Sequence, residues 1–224
     1  MSAVTPNSPQ EQVWAGQKLY TRTFLTVYDP VALGFHCRFI WRCSRSHLLE
    51  FYNRHVSGNH LDIGVGTGYF VDRCHFPVKI PRLALMDLNP NCLRFASRRL
   101  ARYRPEIYQR NVLEPIKIDV PRFDSIAIFN LLHCLPGDMT SKAQVFEHVR
   151  PLLNPGGVLF GSTMVYKGVR RGIVATLVFQ LTNKMKFMSN KEDGIDELRA
   201  NLELHFSASH VELAGCEAVF WARR

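Results

Sequence analysis

Short apolar blocks alternate with longer amphipathic ones from about residue 57 to residue 164. Continuous short apolar blocks indicate buried strands, whereas apolar residues repeated every three to four positions indicate helices. This alternation predicts an α/β fold with a mostly parallel sheet and helices on both of its faces. The predicted strands are 59–64, 82–86, 106–110, 123–129 and 157–163, and the predicted helices are about 68–76, 90–103 and 138–150.

Turn-forming residues mark where several of these elements begin and end. Asn89-Pro90 supplies a capping side chain and a proline at the start of the second helix. Asn154-Pro155-Gly156-Gly157 predicts a turn that precedes the fifth strand. Two apolar runs, 208–213 and 217–222, flank Gly215-Cys216 and predict an antiparallel pair that closes the sheet.

Residues 165–190 fit neither the strand nor the helix pattern well. The segment is apolar but also carries five cations, Lys167, Arg170, Arg171, Lys184 and Lys186. Two interpretations stay open, a flap over a pocket and an extra surface helix. The apolar run from Gly172 to Leu181 is too short to span a bilayer, so no membrane span is predicted.

The N-terminal part of the chain differs from the rest by its aromatic content. Residues 13–56 indicate helices rich in Trp, Tyr and Phe, which predict a helical N-terminal lid. Residues 1–12 are polar and contain proline, which is typical of a flexible arm and not of a secretory signal. We therefore expect a single domain, 13–224, made of this lid and a core from 57 to 224.

The net charge of +9 and the six cysteines narrow the class of protein. Lys and Arg are scattered, without a basic stripe interleaved with aromatic residues, which favours a basic surface over a nucleic-acid interface.

The cysteines form no C-x-x-C pair, and no His, Cys or carboxylate cluster has metal-ligand spacing. We expect reduced thiols, a cytoplasmic location and no metal, with monomer and homodimer both open.

The stretch Leu61-Asp62-Ile63-Gly64-Val65-Gly66-Thr67-Gly68 carries the most specific signal in the chain. Alternating glycines let the backbone turn sharply and approach a ligand closely. The following helix would present its N-terminal amide groups to that ligand, at the carboxyl end of the first strand. Tyr69 stands where a dinucleotide fingerprint requires Gly or Ala, and an acid at position 62 is unfavourable beside a pyrophosphate. The pattern therefore favours a ligand with a cationic amino-acid group over NAD.

Three further strand ends are predicted to reach the same crevice. Asp87 ends the second strand, 19 residues after Gly68, where a carboxylate can accept hydrogen bonds from both ribose hydroxyls of an adenosine. Helix capping is the alternative role for this residue. Asn111 and Val112 follow the third strand, where a side chain would meet an adenine edge, and Asn130 follows the fourth.

These motifs resemble those of class I S-adenosylmethionine-dependent methyltransferases. The resemblance covers about residues 59–164, and the pair at 208–222 fits the last two strands of the family. It implies a Rossmann-like, seven-stranded sheet with an antiparallel last strand, S-adenosylmethionine as cofactor and S-adenosylhomocysteine as product. The matching segments are DIGVGTG at 62–68, MDLNP at 86–90, FDSIAIFNLLH at 123–133 and LLNPGGVLF at 152–160.

The resemblance also implies roles by position. The three glycines would lie against the methionine part and the adenosine, Asp87 would hold the ribose, and Leu88 would pack on adenine. Asn111 stands where the family often has Asp, so its acceptor for the adenine amino group is neutral. Tyr28-Asp29 is similar to an N-terminal segment that caps the cofactor in small-molecule members. The candidate cofactor-binding residues are Tyr28, Asp62, Gly64, Gly66, Gly68, Asp87, Leu88, Asn111, Val112 and Asn130.

Methyl transfer is an in-line displacement, so much of the catalysis can come from positioning the acceptor. His133 is the candidate general base, because an unperturbed imidazole titrates near neutral pH, and packing behind the strand end is its alternative role. We expect a small, partly hydrophobic acceptor, as in secondary metabolism, with O, N, S and C all open as the methylated atom. The candidate acceptor-binding residues are Tyr20, Trp41, Met164 and Tyr166.

Three other functions stay open from the sequence. The fold could bind the cofactor and catalyse a non-methylating step, such as a cyclisation. The charge of +9 is compatible with an RNA or DNA methyltransferase, although the chain has no N/D-P-P-Y/F motif. A non-enzymatic scaffold would show no affinity for the cofactor.

Overall fold

The computed structural model describes residues 21, 25, 29 and 40–224, and within these it has one seven-stranded sheet. Its strands are β1 (Asn59–Ile63), β2 (Arg82–Asp87), β3 (Glu106–Gln109), β4 (Phe123–Phe129), β5 (Leu153–Met164), β6 (Ala208–Ala214) and β7 (Glu217–Arg223). The order across the sheet is β3-β2-β1-β4-β5-β7-β6. Strands β1 to β5 are parallel, and β7 runs antiparallel between β5 and β6. The prediction of a Rossmann-like α/β sheet with an antiparallel last strand is confirmed.

Helices cover both faces of the sheet. One apolar layer packs under α1, α2, α3 and α6, and the other packs under α4, α5 and α7. Because side chains alternate along a strand, His60 and Asp62 of β1 point to the first layer, while Leu61 and Ile63 point to the second. The helices are α1 (Arg45–His55), α2 (Tyr69–Arg73), α3 (Pro90–Arg99), α4 (Met139–Lys142), α5 (Gln144–Val149), α6 (Ile173–Lys184) and α7 (Ile195–His205).

The turn predicted at 154–157 is wrong as a separate element, since these residues belong to β5. Phe123 pairs with Leu153 and Ser125 pairs with Val158, so one residue of β4 opposes four of β5. The surplus is accommodated by a bulge in which Gly156 adopts a φ of 76°, a conformation that glycine reaches without steric cost. Strand β5 consequently begins at Leu153 and not at residue 157.

The helix predicted over 138–150 is two helices, α4 and α5. Asp138 caps α4 by accepting from the backbone N–H of Ser141, whose hydroxyl contacts Asp138 in return. The N–H of Ala143 is shared between the carbonyl oxygens of Met139 and Thr140, so the chain tightens between the two helices.

The two interpretations of residues 165–190, a surface helix and a flap over a pocket, each agree with part of the observed structure. Helix α6 lies on the surface and exposes Ile173, Val174 and Leu177, while Ala175 and Phe179 are buried. Beyond the helix, Phe187 turns back to the cleft described below. In the described ranges, no helix combines the length and the apolar character needed to cross a membrane.

Most of the predicted N-terminal elements fall outside the described residues. Helix α1 is the part of segment 13–56 whose helical structure is described continuously. The arm at 1–12, the lid as a whole and the boundaries of the domain therefore stay predictions.

Candidate active site

An open cleft lies at the carboxyl ends of β1 to β4. The position agrees with the general rule that open α/β sheets bind ligands outside the carboxyl ends of their strands. Segments widely separated along the chain contribute to its wall. The residues of the predicted cofactor set that line it are Asp62, Gly64, Gly66, Gly68, Asp87, Leu88, Asn111, Val112 and Asn130.

The glycine loop between β1 and α2 requires glycine for two different reasons. Gly64 and Gly66 have φ values of 72° and 53°, in the left-handed region that other residues rarely adopt. A Cβ on Gly64 would also lie 2.9 Å from Cδ1 of Leu131. A Cβ on Gly66 would meet only the carbonyl oxygen of Gly64, at 3.9 Å. The backbone at Gly66 is thus open to close approach by a ligand.

Asp87 is held at the end of β2 by backbone donors. Its Oδ2 accepts from Gly66 N at 3.3 Å, and its Oδ1 accepts from Asn89 N at 2.8 Å. Burial raises the pKa of Asp87 to about 6, against these backbone hydrogen bonds, which lower it. Asn89, not Asp87, is the N-cap of α3, because the Asn89 side chain accepts from Asn91 N. The carboxylate is therefore fixed in the cleft wall and has acceptor capacity left for a ligand.

Asp62 lines the cleft from β1 and is only 5% exposed. Its Oδ2 accepts a hydrogen bond from the Tyr52 hydroxyl at 2.7 Å. Burial raises the pKa of Asp62 to about 7; the Tyr52 hydrogen bond lowers it, and the nearby Asp87 raises it further. Tyr52 of α1 thus holds a side chain of the cleft wall without lining the cleft itself, a role that the sequence did not indicate.

Asn130 follows β4 in an unusual conformation. Its φ is 54°, and its backbone N–H donates to Ser162 O at 2.9 Å. The side-chain oxygen of Asn130 is buried and has no hydrogen-bond partner among the described residues. Since buried polar atoms are normally paired and Asn130 lines the cleft, this oxygen is a candidate acceptor for a bound ligand.

The side chain of Asn111 is oriented by its own loop. Its Oδ1 accepts from Leu113 N at 3.1 Å, and its Nδ2 donates to Glu114 Oε1 at 2.9 Å. One lone pair of the amide oxygen remains to accept from a ligand.

Comparison with known proteins defines the family of the chain. Residues 61–159 match the family described as a methyltransferase domain. Demethylluteothin O-methyltransferase of Streptomyces thioluteus is 35% identical over 221 residues, which cover 99% of this chain and 96% of that protein. The chain is a class I S-adenosylmethionine-dependent methyltransferase. The resemblance found in the sequence is therefore confirmed.

Two further comparisons agree with this assignment. The methyltransferase is 34% identical over 211 residues to a physcion biosynthesis cluster O-methyltransferase of Aspergillus chevalieri, with 93% of this chain and 95% of that protein covered. The solved structure of a DhpI–SAH complex superposes with a TM-score of 0.69 at 16% identity, covering 96% of this chain and 97% of that chain. At this identity the likeness supports the fold alone.

Asp29 contacts the glycine loop of the methyltransferase and α3. One carboxylate oxygen accepts from the Thr67 hydroxyl at 2.6 Å, and the other lies 2.7 Å from Arg99 Nη2. Arg99 also donates to Thr67 O at 2.9 Å. Tyr28, the neighbouring residue predicted to cap the cofactor, lies outside the described residues.

His133 is buried behind the end of β4, and it does not line the cleft. Its Nδ1 accepts from Met164 N at 3.2 Å, so the proton of the neutral ring is on Nε2. Burial, together with the charge of Lys142, lowers the pKa of His133 to about 3. The base role of His133 stays a prediction, and these contacts count against it.

Three of the predicted acceptor residues are described, and none of these three lines the cleft. Trp41 and Tyr166 both contact the Phe179 ring, with centroid distances of 4.5 and 5.6 Å. Met164 is buried at the end of β5. Tyr20 lies outside the described residues.

Several wall residues were not predicted as acceptor or cofactor contacts. They include apolar groups from the segments after β4 and after α6, namely Leu131, Leu135 and Phe187.

Among the described residues, no three His, Cys, Asp or Glu side chains are arranged to hold a metal ion.

Proposed function

We propose that this methyltransferase transfers a methyl group to a hydroxyl oxygen of a small, partly hydrophobic acceptor in secondary metabolism. The observation that carries the choice of oxygen is the similarity, over nearly the whole chain, to two relatives named O-methyltransferases. One is named for demethylluteothin, and the other belongs by name to a physcion biosynthesis cluster.

The polar groups of the cleft fit the cofactor. Bound S-adenosylmethionine supplies the activated methyl group and leaves as S-adenosylhomocysteine. Asp87 would accept from the ribose hydroxyls, and Asp62 together with the unpaired Oδ1 of Asn130 would hold the ammonium group. Gly64, Gly66 and Gly68 would let the backbone approach the ligand, while Leu88, Asn111 and Val112 would surround adenine. We assign no metal to the reaction. Once the sulfonium has given up its methyl group, the leaving group is a neutral thioether, which needs no Lewis acid.

The acceptor would lie against the apolar part of the wall, formed by Leu131, Leu135 and Phe187. The main contribution of this wall would be to orient the acceptor oxygen, because orientation alone can lower the activation barrier by roughly 7–11 kcal/mol in favourable cases. A phenolic or enolic hydroxyl ionises without a strong base. The proposal therefore needs no proton transfer to His133, whose Nδ1 is occupied by Met164 N.

The experiment is incubation of the methyltransferase with methyl-¹³C cofactor and matched panels of phenols, enolic pyrones, anilines and thiols, with transfer RNA in parallel. We expect labelled O–CH₃ groups on hydroxyl-bearing aromatic or enolic compounds, identified by NMR. Label on nitrogen, sulfur or carbon alone would contradict oxygen methylation. Label on RNA alone would contradict a small acceptor. The cytoplasmic location and the oligomeric state stay predictions.

A further inference from the structure

A series of hydrogen bonds, part-buried at Ser57 and buried from Ser125 onward, runs behind the cleft to Asp62. Ser57 N donates to Ser125 Oγ at 2.9 Å, and Ser125 Oγ lies 2.8 Å from His60 Nδ1. His60 Nε2 and Asp62 Oδ2 each lie 2.7 Å from the Tyr52 hydroxyl. Tyr52, His60, Asp62 and Ser125 are all at most 5% exposed. The series begins at the far end of β1 and ends on a carboxylate of the cleft wall.

The chemistry of the groups gives this series one direction when Asp62 is ionised. An ionised carboxylate only accepts, so the Tyr52 hydroxyl donates its single proton to Asp62. His60 Nε2 must then donate to the Tyr52 oxygen, which leaves Nδ1 to accept from the Ser125 hydroxyl. Burial lowers the pKa of His60 to about 3 and raises that of Tyr52 well above 10, so both stay neutral. The Tyr52 hydroxyl, both ring nitrogens of His60 and the proton of the Ser125 hydroxyl then each have a matching partner.

We propose that Tyr52 is a positioning residue for the cofactor, whose hydroxyl, itself held by His60, fixes the Asp62 carboxylate at the cleft. The inference rests on the proposed role of Asp62 toward the ammonium group. Tyr52 belongs to α1, outside the glycine loop, and it does not line the cleft. The effect of its hydroxyl on the cofactor would therefore pass through Asp62, while its ring packs against Phe70 and Phe129 of the cleft wall.

A pH dependence follows, since a protonated Asp62 no longer attracts a cation. The groups facing it are Tyr52 from α1, His60 on its own strand, Asp87 from β2 and the Cys74 thiol beyond α2. Burial raises the pKa of Cys74 to about 12, so this thiol is neutral. The β4 residue paired with Asp62 is Ala127, which does not ionise. Loss of the Tyr52 hydroxyl removes a hydrogen bond that lowers the pKa of Asp62, so protonation would extend to higher pH.

The substitution Tyr52→Phe tests this with little disturbance of packing. The Tyr52 ring contacts Phe70, Phe129 and Phe160, with centroid distances of 6.0, 5.1 and 5.1 Å, and a phenyl ring keeps these contacts. A matched control is Tyr108→Phe. It removes a hydroxyl that donates to Glu106 Oε2 at 2.5 Å, on β3 and away from the cleft wall.

The experiment measures the Kd of S-adenosylhomocysteine by titration calorimetry at about pH 6.5 and about pH 8.5. We expect Tyr52→Phe to weaken binding about tenfold at the lower pH and about twofold at the higher, with Tyr108→Phe unchanged. His60→Leu should shift the profile in the same direction as Tyr52→Phe. His60→Gln, which keeps an N–H donor near the Nε2 position, should restore most of the affinity.

Asp62→Asn separates this inference from the cofactor assignment on which it rests. If Asp62→Asn leaves binding unchanged, the proposed role of Asp62 fails, and the inference fails with it. If Asp62→Asn weakens binding but Tyr52→Phe does not, or does so equally at both pH values, only the inference is overturned.

Imidazole NMR of the cofactor-free protein gives an independent readout. At about pH 8 the ¹⁵N spectrum should show His60 protonated at Nε2 and not at Nδ1. The opposite tautomer would overturn the proposed direction of the hydrogen bonds.

Discussion

Arg99 Nη2 lies 2.7 Å from the carboxylate of Asp29, and this contact joins parts of the chain that are 70 residues apart. The side chains are 27% and 15% exposed, so solvent screens the pair only partly. Because Asp29 also accepts from the Thr67 hydroxyl and Arg99 donates to Thr67 O, Asp29 and α3 both hold the same glycine loop. A substitution of Asp29 should consequently change the affinity for the cofactor indirectly, through the glycine loop.

The substitution Asp29→Ala should weaken S-adenosylhomocysteine binding about three- to tenfold, since it removes charge-assisted hydrogen bonds that order the loop. Titration calorimetry measures the effect. The matched control is Asp196→Ala, which breaks an exposed pair with Arg199 on α7 at 2.8 Å, close to the 2.7 Å of the Asp29–Arg99 pair. Equal affinities for Asp29→Ala and the unaltered protein would show that the fastening is irrelevant to the cofactor.

Replacing Asp87 with Ala should weaken cofactor binding by about 1.5–3 kcal/mol, because hydrogen bonds to a charged acceptor are lost. Calorimetry measures binding, and circular dichroism checks that the fold is intact. Asp119→Ala removes an exposed carboxylate outside the cleft wall and should change nothing. Normal affinity in a folded Asp87→Ala protein would remove the ribose from the proposed contacts of Asp87.

Gly64 of the glycine loop and Gly156 of the β5 bulge allow a comparison of two Gly→Ala changes with the same backbone cost. Gly64 and Gly156 have φ values of 72° and 76°, but a Cβ lies 2.9 Å from Leu131 at Gly64 and meets nothing within 4 Å at Gly156. We expect both variants to lose about 1–2 kcal/mol of stability, with a further loss for Gly64→Ala. Only Gly64→Ala should also lose cofactor affinity. Equal effects of both changes on binding would contradict the steric argument.

Glu217 should make the stability of the protein depend on pH. It is fully buried at the start of β7, and burial raises its pKa to about 7 from 4.5, against the lowering effect of contacts with Ser162 and Cys43. A carboxyl group whose pKa is raised by folding binds its proton more tightly in the folded state. Its contribution to stability is therefore complete below about pH 4.5 and is lost as the pH rises to about 7.

Glu217→Gln should remove this loss. Urea unfolding at about pH 5 and about pH 8 should show the variant gaining up to about 3 kcal/mol relative to the unaltered protein at the higher pH. Glu203→Gln, an exposed change on α7, provides the control. Parallel pH profiles for Glu217→Gln and the unaltered protein would rule out the buried carboxyl as the cause.

The cleft wall was predictable where its residues are neighbours in sequence or stand at strand ends. The loop from Asp62 to Gly68 encodes its conformation locally, and parallel strands bring their carboxyl ends to one edge, which also places Asp87 and Asn130 there. Contacts between distant segments were not predictable. The aromatic pattern that contains Tyr52 indicates only a helix, and its bond to Asp62 depends on how α1 packs under the sheet. Phe187 reaches the cleft for a similar reason, through the path of the chain after α6.

The bulge in β5 escaped prediction because Asn154 to Gly157 have the composition of a turn. Whether such residues end a strand or bulge out of it is decided by the partner strand, here through the pairs Phe123–Leu153 and Ser125–Val158. The local sequence predicts that the backbone is irregular at this point, and the register of the sheet decides whether the irregularity is a turn or a bulge.

Strand β7 occupies an inner place in the sheet although it follows all the other described strands along the chain. During synthesis on the ribosome, β5 would therefore emerge with a bare backbone edge that is covered only when residues 217–223 arrive. Such an edge can pair with a neighbouring nascent chain and lead to aggregation. Final closure of the sheet thus depends on a hairpin that exits the tunnel late, and slow or interrupted translation there would expose the enzyme to misassembly.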